Sequence, residues 1–146
     1  MPNLKSDLKL TGHVTVEING KVVQEIPNLV VTAGKEHVVS RLNDASDSVM
    51  THMAVGTGST AAAAGDTTLG TESARVALTS STVSGATITY VATFPAGTPN
   101  TLTALNEAGI FNASSGGTMF CRTVFAGVVN KDTSDAMSIT WAITAS

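Results

Sequence analysis

Charged side chains are scarce in this sequence of 146 residues, where they make up 13% of the chain. The formal net charge is −3 and the pI is about 5.4. The Lys and Arg residues are scattered, whereas a nucleic-acid-binding surface needs a basic stripe or patch. Aromatic residues make up 4% of the chain, too few for a platform that stacks single-stranded bases. We therefore expect no nucleic acid among the partners.

Long apolar runs and cysteine pairs are missing as well. No run reaches the roughly 18 apolar residues that a membrane-spanning helix needs. A single cysteine, Cys121, excludes an intrachain disulfide. Residues 1–10 are polar and lack the apolar segment of a signal peptide. We expect a protein made in the cytoplasm, without a membrane partner, that forms one domain over residues 1–146 with residues 1–10 as an N-terminal arm.

Period-two alternation of apolar and polar residues predicts a domain built mainly of β-strands. His13–Ile18 alternates in this way, and Asn19-Gly20 then joins it to Lys21–Ile26 in a hairpin, because both turn residues can adopt positive φ. Further strands are predicted at Thr51–Val55, Ala74–Val83, Ala86–Phe94, Thr103–Phe111, Thr118–Val128 and Met137–Thr144. Turn signals recur about every ten residues. This pattern predicts an all-β antiparallel sandwich, of jelly-roll or immunoglobulin-like character, with one short helix.

The helix and one long loop interrupt the strands. Thr32 is predicted to cap a helix that runs through Ala33–Leu42, with an apolar stripe at Val38, Val39 and Leu42. The stretch Gly56–Gly70, with the sequence GTGSTAAAAGDTTLG, predicts an irregular loop with room for one helical turn. A loop of this length in a small domain is usually functional or interfacial.

No catalytic, cofactor-binding or metal-binding pattern emerges from the motifs. Gly56–Gly58 lacks the lysine of a phosphate-binding loop, and Ala61 stands where a dinucleotide-binding motif needs its third glycine. The three histidines lack metal-ligand spacing. Asn43–Ser48 lacks the glycine and the terminal glutamate of a calcium loop. Cys121 is expected to be a buried structural thiol. We therefore expect a protein that is not an enzyme and holds neither a cofactor nor a metal.

Four charged residues are candidates for structural ion pairs. Glu107 lies in ALNEAGIF and Arg122 in FCRTVF, while Glu72 and Arg75 flank Ala74 just after the long loop. A charge among apolar strand neighbours usually requires a partner. One hypothesis is that Glu107 pairs with Arg122 or Arg75, within the fold or across a subunit contact. The alternative is that each side chain simply points outward.

Several short motifs occur in an order that carries a family resemblance. They are NLVVTAGKEHVVSRL at Asn28–Leu42, AVGTGST at Ala54–Thr60, the spaced residues Asp66, Leu69, Glu72 and Arg75, NEAGIFNASSGGTMFCR at Asn106–Arg122, and ITWAIT at Ile139–Thr144. In order and spacing they resemble small accessory structural proteins from the virions of tailed bacteriophages. The resemblance covers roughly residues 10 to 146 of the chain.

The resemblance implies a virion component that assembles as copies of itself on a larger phage lattice, without catalysis or cofactor. Proteins of this kind include tail, collar, head-fibre and decoration proteins. We expect a capsid decoration (cement) protein that contacts the major capsid protein or other virion proteins and forms a homo-oligomer, a trimer by analogy. The alternatives are a tail, collar or fibre-base protein and, from a different class, a β-sandwich module that binds a glycan or another small ligand.

Such contacts need area and complementarity, and apolar and Thr-rich surface can supply both without special chemistry. Three segments are candidates for this surface: the loop Gly56–Gly70, the PAGTPN loop at Pro95–Asn100, and the arm Met1–Leu10. The individual interface candidates are Gly56, Thr57, Gly58, Ala62, Pro95, Pro99, Leu4 and Leu8.

Overall fold

The computed structural model describes residues 8–44, 46 and 48–146, and these form ten strands and one helix. Their bounds are β1 Leu10–Ile18, β2 Lys21–Pro27, β3 Leu29–Val30, α1 Thr32–Arg41, β4 His52–Gly56, β5 Glu72–Ala77, β6 Ser80–Ser84, β7 Thr87–Phe94, β8 Thr103–Phe111, β9 Met119–Lys131 and β10 Met137–Ala145. The predicted all-β sandwich with one short helix is confirmed. Most of the predicted arm, residues 1–7, lies outside the described residues, as does the interface candidate Leu4.

The strands form two antiparallel sheets of five strands each. Sheet A has the order β2-β1-β10-β7-β6, and sheet B has the order β3-β9-β8-β4-β5. The first described strand pairs with the last along its whole length, from Leu10 opposite Ala145 to Ile18 opposite Met137. Strands that are distant in sequence are therefore neighbours in both sheets.

Side chains from the facing sides of the two sheets form one apolar core. Val14 and Trp141 contribute from sheet A, and Met53 and Ile110 from sheet B; all four are fully buried. The predicted alternation is confirmed in β10, where every second residue from Met137 to Ile143 is buried. This period of two places one face of each strand in the core.

Sheet B is covered on its other face as well, by the loop between β4 and β5. Leu69 of that loop packs with Ala54, Phe111 and Met119 in a second apolar cluster. Consecutive residues of β4, β8 and β9 are therefore buried, because neither face of this sheet is open to solvent there. Residues 57–71 are irregular, and the helical turn for which the sequence had room does not form.

The predicted first hairpin is confirmed. Asn19 has φ 52° and Gly20 has φ 82°, which is the left-handed geometry that a two-residue turn between twisted strands requires. Asn19 is further held by its side chain, whose Nδ2 donates to Asp135 Oδ1 at 2.9 Å. The second strand ends at Pro27, as expected from a residue that lacks a backbone N–H.

The predicted strand Ala74–Val83 is wrong in one respect, because it is two strands in different sheets. β5 ends at Ala77 and pairs with β4 in sheet B, while β6 begins at Ser80 and pairs with β7 in sheet A. The chain crosses between the sheets at Leu78–Thr79. In β5, Ala74 and Val76 pack against the core. In β6, Ser81 and Val83 are paired with Tyr90 and Ile88, which are core-facing residues of β7, so the alternation shifts by one residue across the break. Most residues of β6 are Ser or Thr and all of them are exposed, so no apolar pattern in the sequence marks this shift.

Two predictions about the helix are also wrong. The residue at the N-cap is Val31 rather than Thr32, and no side chain caps the helix. Instead the Thr32 N–H donates to the Ala64 carbonyl at 2.8 Å, so the long loop supplies the acceptor. The predicted apolar stripe is not buried along its length, since Val39 is 66% and Leu42 is 86% exposed.

Candidate functional site

The most polar site in the described chain lies beneath the long loop, on the face of sheet B away from the core. Glu107 in β8 is opposite Val124, and Arg122 in β9 is opposite Gly109, so the two charged residues are diagonal neighbours on this face. Their side chains are 0% and 3% exposed. The structure pairs Glu107 with Arg122, and residues 57–71 cover the pair.

The carboxylate of Glu107 is held by backbone donors from both ends of the loop. Oε2 accepts hydrogen bonds from the N–H groups of Gly58 at 2.7 Å and Thr71 at 2.8 Å, and Oε1 accepts one from Gly70 at 2.7 Å. Charge-assisted bonds of this kind are about twice as strong as neutral ones. The carboxylate therefore ties together the beginning and the end of the loop.

Arg122 completes the network and extends it to the middle of the loop. Its Nε and Nη2 donate to Glu107 Oε1 at 3.2 and 3.0 Å. Nη1 donates to Asp66 Oδ2 at 3.0 Å, and Nη2 also donates to the Thr60 carbonyl at 2.9 Å. Asp66 Oδ2 in turn accepts the N–H of Ala63 at 2.9 Å. The planar guanidinium thus holds two further points of the loop above the sheet.

The electrostatics of this site favour the ionised carboxylate. Burial alone would raise the pKa of Glu107, but the N–H groups of Thr71 and Gly70, the Arg122 guanidinium and the Gly58 N–H outweigh it. The pKa of Glu107 is consequently lowered from its ordinary value. A carboxylate that stays charged and accepts this many bonds serves to hold structure, because it is a poor proton donor or acceptor at neutral pH.

The glycines of the AVGTGST motif are required by this close approach. A Cβ on Gly58 would lie 2.4 Å from Glu107 Oε2 and 3.0 Å from the Gly70 Cα. A Cβ on Gly56 would lie 2.2 Å from the Thr71 carbonyl oxygen. At position 58, only glycine lets the backbone N–H reach the carboxylate without a side-chain clash.

The second pair of charged candidates, Glu72 and Arg75, contacts the turn between β8 and β9. Arg75 donates from Nη2 to Glu72 Oε1 at 2.7 Å and from Nη1 to the carbonyls of Ala113 and Gly116 at 3.0 and 2.9 Å. Its guanidinium carbon lies 3.8 Å from the centroid of the Phe111 ring. Arg75 therefore connects β5 to the SSGG turn that joins β8 and β9.

The interface candidates differ in how much surface they expose. Pro95 is exposed and Leu8 is 71% exposed, which leaves both available for contacts. Thr57, Ala62 and Pro99 are half-buried. Gly58 is also half-buried, and its N–H is occupied by Glu107. Gly56 is wrong as an interface candidate because it is buried inside the fold, against Thr71.

Sequence reasoning did not assign a role to Asp66, which belongs to the polar network. Asp66 is the only charged residue between positions 57 and 71. A single charged residue in an otherwise uncharged loop could have indicated that Asp66 pairs with a buried cation. The role of the Thr60 carbonyl could not be predicted from the sequence, because every residue has a backbone carbonyl.

A groove of ≈ 620 Å³ opens between α1 and the end of sheet A that holds β6 and β7. It is mainly apolar, and Tyr90 and Phe120 of the core form part of its wall, with their rings 6.5 Å apart in an edge-to-face arrangement. Burial raises the pKa of the Tyr90 hydroxyl to about 12, so the phenol stays neutral. The large apolar side chains exposed at its rim are Leu42, Val49 and Val83, and the exposed Arg41 also lines it.

Cys121 is buried, and burial raises the pKa of its thiol well above the ordinary value. Across residues 8–44, 46 and 48–146, no group of three or more His, Cys, Asp or Glu side chains could hold a metal ion. The described residues also include no helix with the length and hydropathy needed to span a bilayer.

Comparison with known proteins returns no match: no family model, no curated protein and no solved structure is similar to this chain. The function is therefore inferred from the geometry of the loop, the ion pairs and the groove.

Proposed function

We propose that this chain is a non-enzymatic structural protein of a tailed-phage virion, and specifically a capsid decoration protein. It acts by binding the major capsid lattice and other copies of itself. The motif order described above supports this assignment. The observation that carries it is the long loop over sheet B, which is nearly uncharged on its surface and firmly anchored from beneath.

The loop presents a surface suited to docking against another protein. Its only charged residue, Asp66, bonds to Arg122 underneath. The residues it exposes are small or hydroxyl-bearing: Ser59, Thr60, Ala61, Ala63, Ala64, Gly65, Thr67 and Thr68. A surface without exposed cations and with few anions avoids most of the cost of burying charge on binding, and its hydroxyl groups can form hydrogen bonds with the partner. Because the Glu107 network already orders the loop, docking would lose little conformational entropy.

Copy number on the virion tests this proposal directly. Heads of the phage that encodes the chain are prepared without it, the labelled protein is added, and bound copies per head are counted after sedimentation. Saturable binding at hundreds of copies per head is the expected result. Binding at a few copies would favour the tail, collar or fibre-base alternative, and no binding to either heads or tails would overturn the proposal.

Charge substitution in the loop locates the contact. Ala61→Arg places a long cation on the exposed loop surface, and we expect at least a tenfold loss of affinity for heads because that charge is desolvated at the contact. Thr93→Arg is the matched control, since Thr93 is exposed on the outer face of the other sheet. Equal affinities of the two variants would show that the loop is not the contact.

A second candidate function, from a different class, is a module that binds a small ligand. The groove between α1 and β7 favours it, and the apolar lining indicates an apolar ligand rather than a glycan. The fluorescent probe 8-anilinonaphthalene-1-sulfonate tests this candidate. A saturable increase in fluorescence that Val49→Arg abolishes would support it, because Val49 lies at the groove rim and is 57% exposed. No increase with the native protein would eliminate it.

A further inference from the structure

Strand β6 is an open edge of sheet A. It pairs with β7 on one side, and no strand of the described chain pairs with its other side. All five of its residues, Ser80–Ser84, are exposed. The outward N–H and C=O groups of such an edge can pair with a strand of another molecule.

The other three sheet edges are protected in ways that β6 is not. β3 is only two residues long, and β5 carries the ion pair of Glu72 and Arg75. β2 carries Lys21, Glu25 and Pro27, and the side chain of its Gln24 bonds to the backbone of β9. Charges, proline and short length are the usual protections against edge pairing. β6 has none of these, and no charged residue occurs anywhere between positions 76 and 106.

We propose that two copies of this chain pair through β6, antiparallel and related by a two-fold axis at Thr82, so that their two A sheets become one continuous sheet of ten strands. The inference rests on the proposed function, which requires copies to associate, and it names the surface that they use. An antiparallel strand can pair with its own copy because a two-fold axis makes the contact self-complementary.

The residues of β6 fit this register. With Thr82 on the axis, Ser80 lies opposite Ser84 of the second copy, and Ser81 lies opposite Val83. Thr82 is paired with Thr89 of β7, so it lies on the outer face of sheet A, and the two copies of Thr82 are direct neighbours. Opposed Thr pairs stabilise antiparallel sheets, and no like charges meet anywhere along the strand.

The apolar groove borders the same edge. Val83, which is 69% exposed, and Ser81 both line the groove, as do Leu42 and Val49. In the proposed pairing, Val83 of the second copy lies beside Ser81, at the mouth of the groove. Pairing therefore covers apolar side chains of both copies at this rim, which adds a hydrophobic contribution to the backbone hydrogen bonds.

Pairing through β6 limits the assembly to two copies. Each copy uses in the contact the one unprotected edge among the described strands, so the pair offers no further β6 edge for growth. The expected assembly in solution is therefore a dimer, in place of the trimer that the family resemblance suggested.

Light scattering coupled to size exclusion tests the inference with complementary charges. The native protein should have twice the chain mass of 14.8 kDa. Thr82→Lys and Thr82→Glu should each weaken pairing at least tenfold, because like charges then face each other on the axis. A mixture of the two variants should recover the dimer. Thr93→Lys, an exposed Thr on the outer face of β7, is the matched control and should remain dimeric.

Two results would overturn the inference. One is a native protein that is monomeric at high micromolar concentration, and the other is an oligomer unaffected by Thr82→Lys, Thr82→Glu and Ser80→Lys. Thermal unfolding of each variant verifies that it is folded. The head-binding assay separates this inference from the proposed function: a monomer that decorates heads would refute only the β6 contact, and a β6 dimer that binds neither heads nor tails would refute only the virion role.

Discussion

The buried carboxylate of Glu107 offers the sharpest test of how this fold is held together. Glu107→Gln keeps the size of the side chain but removes the charge and one of two acceptor oxygens. Five hydrogen bonds reach the native carboxylate, two at Oε2 and three at Oε1. An amide nitrogen cannot accept a bond, so even the better amide orientation leaves the N–H groups of Gly58 and Thr71 without their acceptor.

The expected loss follows from these lost bonds. Each buried donor left without a partner costs about 1–3 kcal/mol, and breaking a buried ion pair from one side costs about 3–5 kcal/mol. The two figures describe the same lost contacts, so we expect Glu107→Gln to lower the free energy of unfolding by about 3–5 kcal/mol. For a domain of this size that corresponds to a decrease in Tm of roughly 10 °C.

Urea denaturation followed by Trp141 fluorescence measures this loss, since Trp141 is the only tryptophan and is fully buried. Glu72→Gln is the matched control: its partner is also an arginine, but the Glu72 side chain is 36% exposed. That control should lose less than about 1 kcal/mol. If Glu107→Gln lost no more than Glu72→Gln, the idea that Glu107 anchors the loop would be refuted.

Three further predictions follow from the same geometry. The pKa of Glu107 is lowered from 4.5, so the stabilisation by its carboxylate is present above pH 4.5 and is lost as the pH falls through the lower pKa of the folded state. When the free energy of unfolding is measured against pH, it should therefore decline less on acidification in Glu107→Gln than in the native protein. Gly58→Ala should cost about 1–3 kcal/mol in urea melts because its Cβ meets the fixed carboxylate, whereas Gly65→Ala, with nothing within 4 Å, should change little. Cys121 should react with an aromatic disulfide reagent only at the rate of unfolding, because burial raises the pKa of its thiol, and rapid labelling of the folded protein would contradict this.

Local patterns were sufficient for most of the strands. The Asn19-Gly20 turn needs only two adjacent residues with positive φ, and the structure has both. β8 was predicted with its observed bounds, Thr103–Phe111, because a polar turn lies on each side of it. These features depend on residues close in sequence, so the sequence pattern reports them reliably.

The strand break at Leu78–Thr79 is a feature that the local sequence pattern did not predict. Alternation in β5 places Ala74 and Val76 against the core, but all five residues of β6 are exposed and most are Ser or Thr, so no apolar pattern marks the change of sheet. Sheet membership depends on which distant strands pair, and β6 pairs with β7 while β5 pairs with β4. The periodicity of apolar residues does not indicate which distant strand a segment pairs with.

The charged candidates show the same limit in the functional site. The sequence indicated two possibilities for Glu107: an ion pair with Arg122 or Arg75, or a side chain that simply points outward. The structure combines two of these possibilities: Glu107 points away from the sandwich core and still pairs with Arg122, because the loop covers that face. The loop has no periodicity, so apart from the isolated charge of Asp66 nothing in its sequence indicated that it folds back over sheet B.

The sequence by itself determined most of the strands, the first hairpin and the all-β class, because these follow from neighbouring residues. It also indicated an ion pair at Glu107 as one hypothesis, from the cost of burying an unpaired ion. Only the tertiary structure decided that residues 57–71 cover sheet B, that Arg122 and Asp66 share one network, and that β6 forms an unprotected edge. These features arise from contacts between segments tens of residues apart, and such contacts depend on how the two sheets pack rather than on any local pattern.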